Sequence, residues 1–578
     1  ENPSYEGVLT LGNRYGEDSE FGVLLMGSYS FRDFGSDDIE PEWDFEDTGL
    51  GDDVLTEFQT RHYSLTRQRI GGTASLDYRF SPTSQIQFTG TYTEHEDTEQ
   101  RRRLIQVIED DEMEFNHKNR LENLQIGSGA LNGEHLLGSG VQFGWGLSYS
   151  RAAEDTPYDN EIAFVQEDVS FSPNISDPER VLPNPTSGAL SGPFEFDKLE
   201  AGFSKTTDTD RTARFDLEIP YQLGEGATGG LKFGFLVRDK SKDQSITEEE
   251  YELADGDLFL GQGIGSSFDF SGFQPGSEYG FVPNSTTPGE VKNFVGDRSG
   301  QLESEANIEA DSEDFELTER VMGGYVMTEL NLSEAFMIMP GVRYEYTDAE
   351  ADGFNWDSEA ETLTPTSSDN SYGNIFPHMH MRYRLTEQTN LRAAYSSAIA
   401  RPGYFSMVPY RIRDDEDLEI GNPDLDPEKI KSIELGYFGR LFNDHLHIDL
   451  RLSKEEITDV IVQRKTLNGK RSADIVRWRF LNYGEIDIDS AELELSYHPS
   501  KKTLFKAYGS YANANGDRAH IVNNTSNTPY YIADNAYRFV PLVSTGVLAS
   551  HELPEKLILS AQYNFVEEYT TSGNGDEL

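Results

Sequence analysis

A chain of 578 residues is longer than one ordinary soluble core can serve, so it must be several domains, a repeat array or one large closed sheet. Apolar residues reach only 36%, and the densest run, Phe21-Gly22-Val23-Leu24-Leu25-Met26, excludes a membrane-spanning helix; barrel strands cross with alternate residues and keep mean hydropathy low, here −0.60. A net charge of −55 excludes a nucleic-acid surface, which needs a basic footprint, and the absence of cysteine argues against thiolate metal sites and disulfide scaffolds while fitting an exported protein.

From the first residues the chain shows a strand pattern. No secretory signal is visible at Glu1-Asn2-Pro3-Ser4, so either an export signal was removed or the sequence starts within a longer protein. In chain order, period-two alternation predicts strands near 5–15, 20–34, 61–80, 85–107, 114–137, 141–155, 199–223, 229–246 and 312–332. It continues near 335–348, 371–386, 388–399, 430–442, 445–463, 480–498, 502–514, 537–552 and 556–570. At 141–150 one face carries Val141, Phe143, Trp145, Leu147 and Tyr149, and the other Gln142, Gly144, Gly146, Ser148 and Ser150. At 445–452, Leu446, Ile448, Leu450 and Leu452 oppose His445, His447, Asp449 and Arg451. Between Ile488 and Ala491 the phase slips, as a β-bulge would make it.

The connections separate a membrane barrel from a soluble sheet. Those at 16–19, 81–84, 138–140, 224–228, 333–334, 443–444, 499–501 and 553–555 are tight. Those at 35–60, 156–198, 247–311, 349–370, 400–429 and 515–536 are long, acidic and rich in Gly and Pro. Short periplasmic turns alternating with long extracellular loops are the pattern of an outer-membrane barrel. Strands such as 85–107 turn charged beyond Glu94, which predicts hairpins projecting out of the bilayer. Within lipid every backbone group must be paired, and for an all-β chain only a closed barrel achieves this. The expected fold is therefore an all-β, transmembrane antiparallel β-barrel. With the short turns in the periplasm, strand 5–15 descends and 556–570 ascends, so one strand is expected before Tyr5 and an odd number after residue 570. About 18 strands, plus one and three, would give the roughly 22 of plugged transporters. All of 1–578 thus reads as one partial barrel domain.

One stretch carries a more specific pattern. Arg401-Pro402-Gly403-Tyr404-Phe405 is followed by Val408-Pro409-Tyr410, by Gly421-Asn422-Pro423-Asp424-Leu425-Asp426-Pro427-Glu428, and by Ser432-Ile433-Glu434-Leu435-Gly436-Tyr437. This resembles the barrel signature of TonB-dependent receptors. Pro340-Gly341-Val342-Arg343-Tyr344-Glu345-Tyr346-Thr347, Gly324-Tyr325-Val326 and Phe376-Pro377-His378-Met379-His380-Met381-Arg382-Tyr383 are similar to further strands of that family, with His378 and His380 in place of smaller polar residues. The resemblance runs in order along the chain and is weakest in the long loops. It implies a bacterial outer-membrane transporter that imports a scarce nutrient, a ferric siderophore or similar chelate, or an oligosaccharide. It also implies a lumen filled by an N-terminal plug. The implied partners are outer-membrane lipid and lipopolysaccharide, a small-molecule ligand, and TonB with its inner-membrane energising complex, reached through a region preceding this barrel, which is expected to be monomeric. No catalytic residue, cofactor or metal is implied. Arg343, Glu345 and Glu434 share the polar, lumen-facing alternation, so salt bridges to the plug are one role for them. The prolines at 402, 409, 423 and 427 fix φ in the loop and limit stray pairing.

Other constellations are weaker. His378/His380 and His445/His447 are i,i+2 pairs on one strand face, a spacing that could hold a metal, although polar lumen positions account for them equally. Gly261-Gln262-Gly263-Ile264-Gly265 lacks the βαβ context of a nucleotide site. Asp414-Asp415-Glu416-Asp417 lacks the spacing of a calcium loop. Loop aromatics Trp43, Phe45, Phe268, Phe270, Phe273 and Tyr279 either stack on a ligand or pack the loops. A passive porin or surface adhesion barrel would share the alternation but not the plug. An enzyme is disfavoured because no nucleophile–base set is visible.

Overall fold

Alternation gives each segment two unlike faces, and antiparallel pairing lines those faces up across a sheet. The structure is a computed structural model, which describes residues 3–44, 54–177, 180–224, 226–268, 271–413, 417–467, 476–516, 520–522, 529–531 and 542–567. Its long strands are β1 (Tyr5–Tyr15), β2 (Phe21–Asp44), β3 (Val54–Ser81), β4 (Ser84–Val107), β5 (Glu112–Leu136), β6 (Gln142–Gln166), β7 (Glu195–Leu223), β8 (Ala227–Leu253) and β9 (Phe315–Asn331). They continue as β10 (Phe336–Asp357), β11 (Thr362–Thr386), β12 (Thr389–Ala400), β13 (Glu428–Leu441), β14 (Leu446–Thr458), β15 (Glu485–Ser500), β16 (Thr503–Gly516), β17 (Val543–Glu552) and β18 (Ile558–Val566).

Each strand pairs antiparallel with the next in the chain, an unbroken meander. Short loop strands complete a 23-stranded sheet. Among the described residues β1 pairs only with β2 and β18 only with β17, so the sheet has two free edges. The turn after β13 holds Phe442, Asn443 and Asp444 at φ of 54°, 56° and 64°; Asn and Asp tolerate that left-handed backbone well.

Paired residues share a face, so the register separates the two sides. Val326, Val342, Tyr344, Ile375, Ile433 and Leu435 lie on one, with Tyr344 50%, Ile375 66% and Leu435 55% exposed and no protein layer over them. A surface this apolar suits hydrocarbon. The opposite face carries Arg14 paired to Asp77 at 2.5 Å, with Arg214, Asp216, Glu218 and Lys232 around a cavity of about 610 Å³ at the turn end.

Beyond the turn-proximal half the outward face gains a cover. The register of β4 and β5 is continuous, so Arg102, Leu104, Phe115 and His117 share the face of Phe88 and Tyr92, yet they are buried. The connection between β8 and β9 packs on them. Its helix α1 (Pro288–Arg298) starts at Thr287 in a capping box with Glu290, whose carboxylate also accepts the Gly265 N–H at 3.2 Å. Val291 and Phe294 of α1 pack with Met113, Phe115, Phe164 and Phe196, and the Phe196 and Phe294 rings stack at 5.0 Å. Water would otherwise meet this apolar surface, so the layer contributes hydrophobic stabilisation on the extracellular side.

Three expectations need correction. The long loops at 35–60 and 349–370 are mostly strand: β2 runs to Asp44, β3 begins at Val54, and β10 and β11 meet in a tight turn at 358–361. These outer hairpins no longer separate lipid from water, so alternation fades although pairing continues. No bulge interrupts β15 between Ile488 and Ala491, where pairing with β14 runs Ile488↔Glu455, Asp489↔Lys454, Ser490↔Ser453 and Ala491↔Leu452. Ile486 simply faces the lumen side, opposite the buried Ile457.

Candidate functional site

The described residues of 401–427 fold inward over the lumen face of β9 and β10. Met407, Val408 and Tyr410 pack on Phe315, Leu317 and Ala351, and Tyr410 stacks on Phe405 at 4.4 Å while its hydroxyl donates to Glu419 at 2.7 Å. Burial raises the Tyr410 and Tyr404 hydroxyl pKa values above their ordinary range.

The resemblance residues of this segment act on backbone. A Cβ on Gly421 would sit 1.9 Å from the Val408 carbonyl oxygen, so only glycine lets the two arms of the loop close. Asn422 is buried; its amide donates to the Phe480 carbonyl at 2.9 Å and its side-chain oxygen accepts from the Asp424 N–H at 3.2 Å. The carbonyls of Pro423 and Leu425 accept from Asn370 at 2.8 and 3.2 Å, and Glu428 accepts the Ile461 N–H at 2.7 Å. Leu425 is fully buried, and Pro402 and Pro427 are buried with it.

Arg401 ties this loop to the wall. Its Nη2 donates to Glu345 at 2.7 Å and to Thr347 at 3.3 Å, and its Nε lies 3.6 Å from Glu319, an electrostatic contact too long for a hydrogen bond. Glu345 also accepts from Arg343 at 2.6 Å, and Glu319 from Arg238 at 3.0 Å. Glu319 is 2% exposed and holds two guanidinium groups from different elements. Lys240 adds a contact to the loop, 4.7 Å over the Tyr404 ring and 3.1 Å from Asp208. The Arg343–Glu345 pair expected to meet a plug is thus engaged within the barrel wall, leaving fewer free donors for that role.

Next to this network is a cavity of about 400 Å³ lined by Tyr325, Arg343, Glu345, Phe376, His378, Ser397, Ile399 and Arg401. It brings together Arg343, Glu345, Arg401 and His378, four positions singled out from sequence, beside Gly341. His380 lies two residues further along the lumen face, its ring 5.8 Å from that of His378. Glu434 also faces the lumen, opposite Ser453, some strands away. His445 and His447 sit near the turn end, where His445 Nδ1 bonds the His498 carbonyl at 2.5 Å. Among the described residues no three His, Cys, Asp or Glu side chains are placed to hold a metal ion.

The loop aromatics lie elsewhere. Trp43, Phe268, Phe273 and Tyr279 gather in one apolar cluster with Leu55 and Phe58; Tyr279 stacks on Phe58 at 5.6 Å and Arg102 lies 3.9 Å over Phe268. They pack the loop layer on the outward face. Phe45, Phe270 and Asp414 to Glu416 lie outside the described residues. Glu319 was not singled out from sequence, although it interrupts the alternating apolar set Phe315, Leu317 and Val321, which is the signal that marks it.

Residues 286–569 match the model of the outer membrane protein beta-barrel family. The heme/hemopexin utilization protein C of Haemophilus influenzae (strain 86-028NP) is 21% identical over 250 residues, 40% of this chain and 33% of that protein; the match thus covers about a third of the curated relative's length. Solved structures share the fold at low identity. The ferric-catecholate import receptor Fiu of E. coli K12 gives a TM-score of 0.53 at 10% identity, covering 98% of this chain and 71% of that one. The ferripyoverdine receptor of Pseudomonas aeruginosa gives 0.54 at 10%, covering 100% and 62%. The ferric yersiniabactin uptake receptor FyuA of Yersinia pestis gives 0.52 at 10%, covering 99% and 67%.

Proposed function

We propose, from the premise that this chain is an outer-membrane β-barrel with the TonB-dependent receptor fold, that it forms the wall and mouth of an importer for an iron chelate. The observation that carries this reading is the loop 401–427, tied by Arg401 to the lumen face of β9 and β10 beside a chamber of about 400 Å³. Such a chamber suits capture of one compact ligand, with Arg343, Arg401, Glu345 and His378 as polar contacts and Phe376 as an apolar one. Related folds named for ferric-catecholate, ferripyoverdine and ferric yersiniabactin support the substrate class. Energy from TonB through a preceding plug, further strands joining the free edges of β1 and β18, and a non-enzymatic role belong to the same proposal.

The test is growth of a strain lacking the complete gene, under iron limitation with ferric chelates or heme, and separately on oligosaccharides as sole carbon source. The expected result is an iron-dependent defect that the gene restores and Arg401→Ala restores poorly. A defect confined to oligosaccharide growth would replace the substrate class, and uptake unaffected by loss of the proton-motive force would favour a passive porin.

A further inference from the structure

Methionine is scarce here, nine residues in all, yet Met322, Met327, Met337, Met339, Met379 and Met381 fall within β9, β10 and β11. The register divides them between the faces. Met339 pairs directly with His380, and Gly341 pairs with His378 on one side and Met327 on the other. All of these positions share the lumen face of Arg343, Tyr325 and Phe376. Opposed residues in such a sheet have Cβ atoms about 4.5–5.5 Å apart, so two imidazoles and two thioethers converge on one patch.

Gly341 makes the approach possible. A Cβ there would lie 2.4 Å from His378 Cε1, 2.5 Å from its Nε2 and 2.7 Å from Met327 Cβ, so the histidine ring and the methionine stem meet over bare backbone. Neither His378 nor His380 makes a hydrogen bond to another described side chain, and Glu329 on the same face is engaged by Asn331 Nδ2 at 3.2 Å. Histidine alone left this patch as a two-ligand pair. The thioethers come from neighbouring strands, more than thirty residues away in sequence, and only the register adds them.

We propose that Met327, Met339, His378 and His380 form a thioether–imidazole site for a soft monovalent cation, Cu(I), on the lumen wall beside the chamber that His378 lines. Thioether sulfur selects soft ions such as Cu(I), and imidazole serves the same metal. Arg382, two residues beyond His380, and Arg343 above His378 disfavour a divalent ion more than a monovalent one. A chain without cysteine has no thiolate to compete. The proposal goes beyond the uptake reading and does not depend on which chelate the mouth captures.

The test uses the complete natural protein carrying this barrel, purified in detergent and reduced, with Cu(I) affinity read by competition against a chromogenic Cu(I) chelator. One equivalent of Cu(I) is expected. The isosteric pair Met327→Leu with Met339→Leu, and separately His378→Gln with His380→Gln, should each weaken it at least tenfold, and X-ray absorption should show both S and N ligands. Zn(II) affinity should not move with the methionine pair. Circular dichroism and heat-modifiable gel mobility check that each variant is folded. The proposal is overturned if folded wild-type protein binds no Cu(I), or if the methionine pair leaves Cu(I) affinity unchanged.

Discussion

Replacing Arg401 with alanine removes a charge-assisted hydrogen bond to Glu345 at 2.7 Å, a second bond to Thr347 and the 3.6 Å contact to Glu319. Breaking a buried ion pair outright costs about 3–5 kcal/mol. Here each carboxylate keeps another partner, Arg343 for Glu345 and Arg238 for Glu319, so the loss is closer to one charge-assisted hydrogen bond, about 2 kcal/mol. The loss falls on docking of the loop 401–427, because β9 and β10 remain paired with their neighbours. At about 1.4 kcal/mol per tenfold, local opening becomes about thirtyfold more frequent. Hydrogen exchange reads this directly at the Gly421 amide, bonded to Tyr410 O at 3.0 Å, and the Asn422 amide, bonded to Ser406 O at 2.8 Å. Arg401→Lys should fall between, since it keeps charge but loses the planar fork. Exchange in Arg401→Ala within about threefold of wild type would refute the staple, because that change corresponds to less than about 0.7 kcal/mol.

Gly421→Ala places a methyl against the Val408 carbonyl oxygen and should cost about 1–3 kcal/mol, with protease cleavage appearing in the loop; Gly403→Ala, with only Ser406 Oγ at 3.8 Å, should leave the cleavage pattern unchanged. His117, fully buried beside Arg102 and bonded to Thr286, has its pKa lowered by burial to about 3. Docking of the 254–314 layer should therefore be strongest above about pH 6.5 and weaken as pH falls towards 3, because the undocked histidine takes up a proton that the docked one refuses. Proteolysis of that layer across pH, flattened in His117→Gln, checks this. Val547→Arg on the exposed apolar face should cost about 2–4 kcal/mol in refolding into vesicles, whereas Glu434→Gln on the lumen face should change it little.

The sequence made the membrane half of each strand legible because lipid and water impose opposite demands there. Leu147 and Tyr149 against Ser148 and Ser150, or Leu450 and Leu452 against Asp449 and Arg451, needed no tertiary information. Above the bilayer that constraint relaxes. The β10–β11 hairpin looked like a loop since Ala349, Ala351, Ser367 and Asp369 carry little periodic hydrophobicity, yet backbone pairing continues to Asp357 and Thr362. The site was legible in part. Arg401, Arg343, Glu345 and His378 were each marked by pattern, but that they line one chamber follows from register. Glu319 was marked by its break in the apolar alternation of Phe315, Leu317 and Val321, but its partners, like the methionines opposite the histidines, come only from long-range pairing. Trp43, Phe268 and Tyr279 were visible as loop aromatics, but only the fold shows that they cluster together beneath the layer covering the outward face.

Ile433 and Leu435 face hydrocarbon while Glu434 between them faces the lumen, and the membrane placement of the whole sheet stands on that division. With no native cysteine, single cysteines at 433, 434 and 435 can each carry a fluorophore in the complete protein reconstituted with nitroxide-labelled lipids. Strong quenching is expected at 433 and 435 and weak quenching at 434. Equal quenching at all three, or the reverse pattern, would contradict that placement.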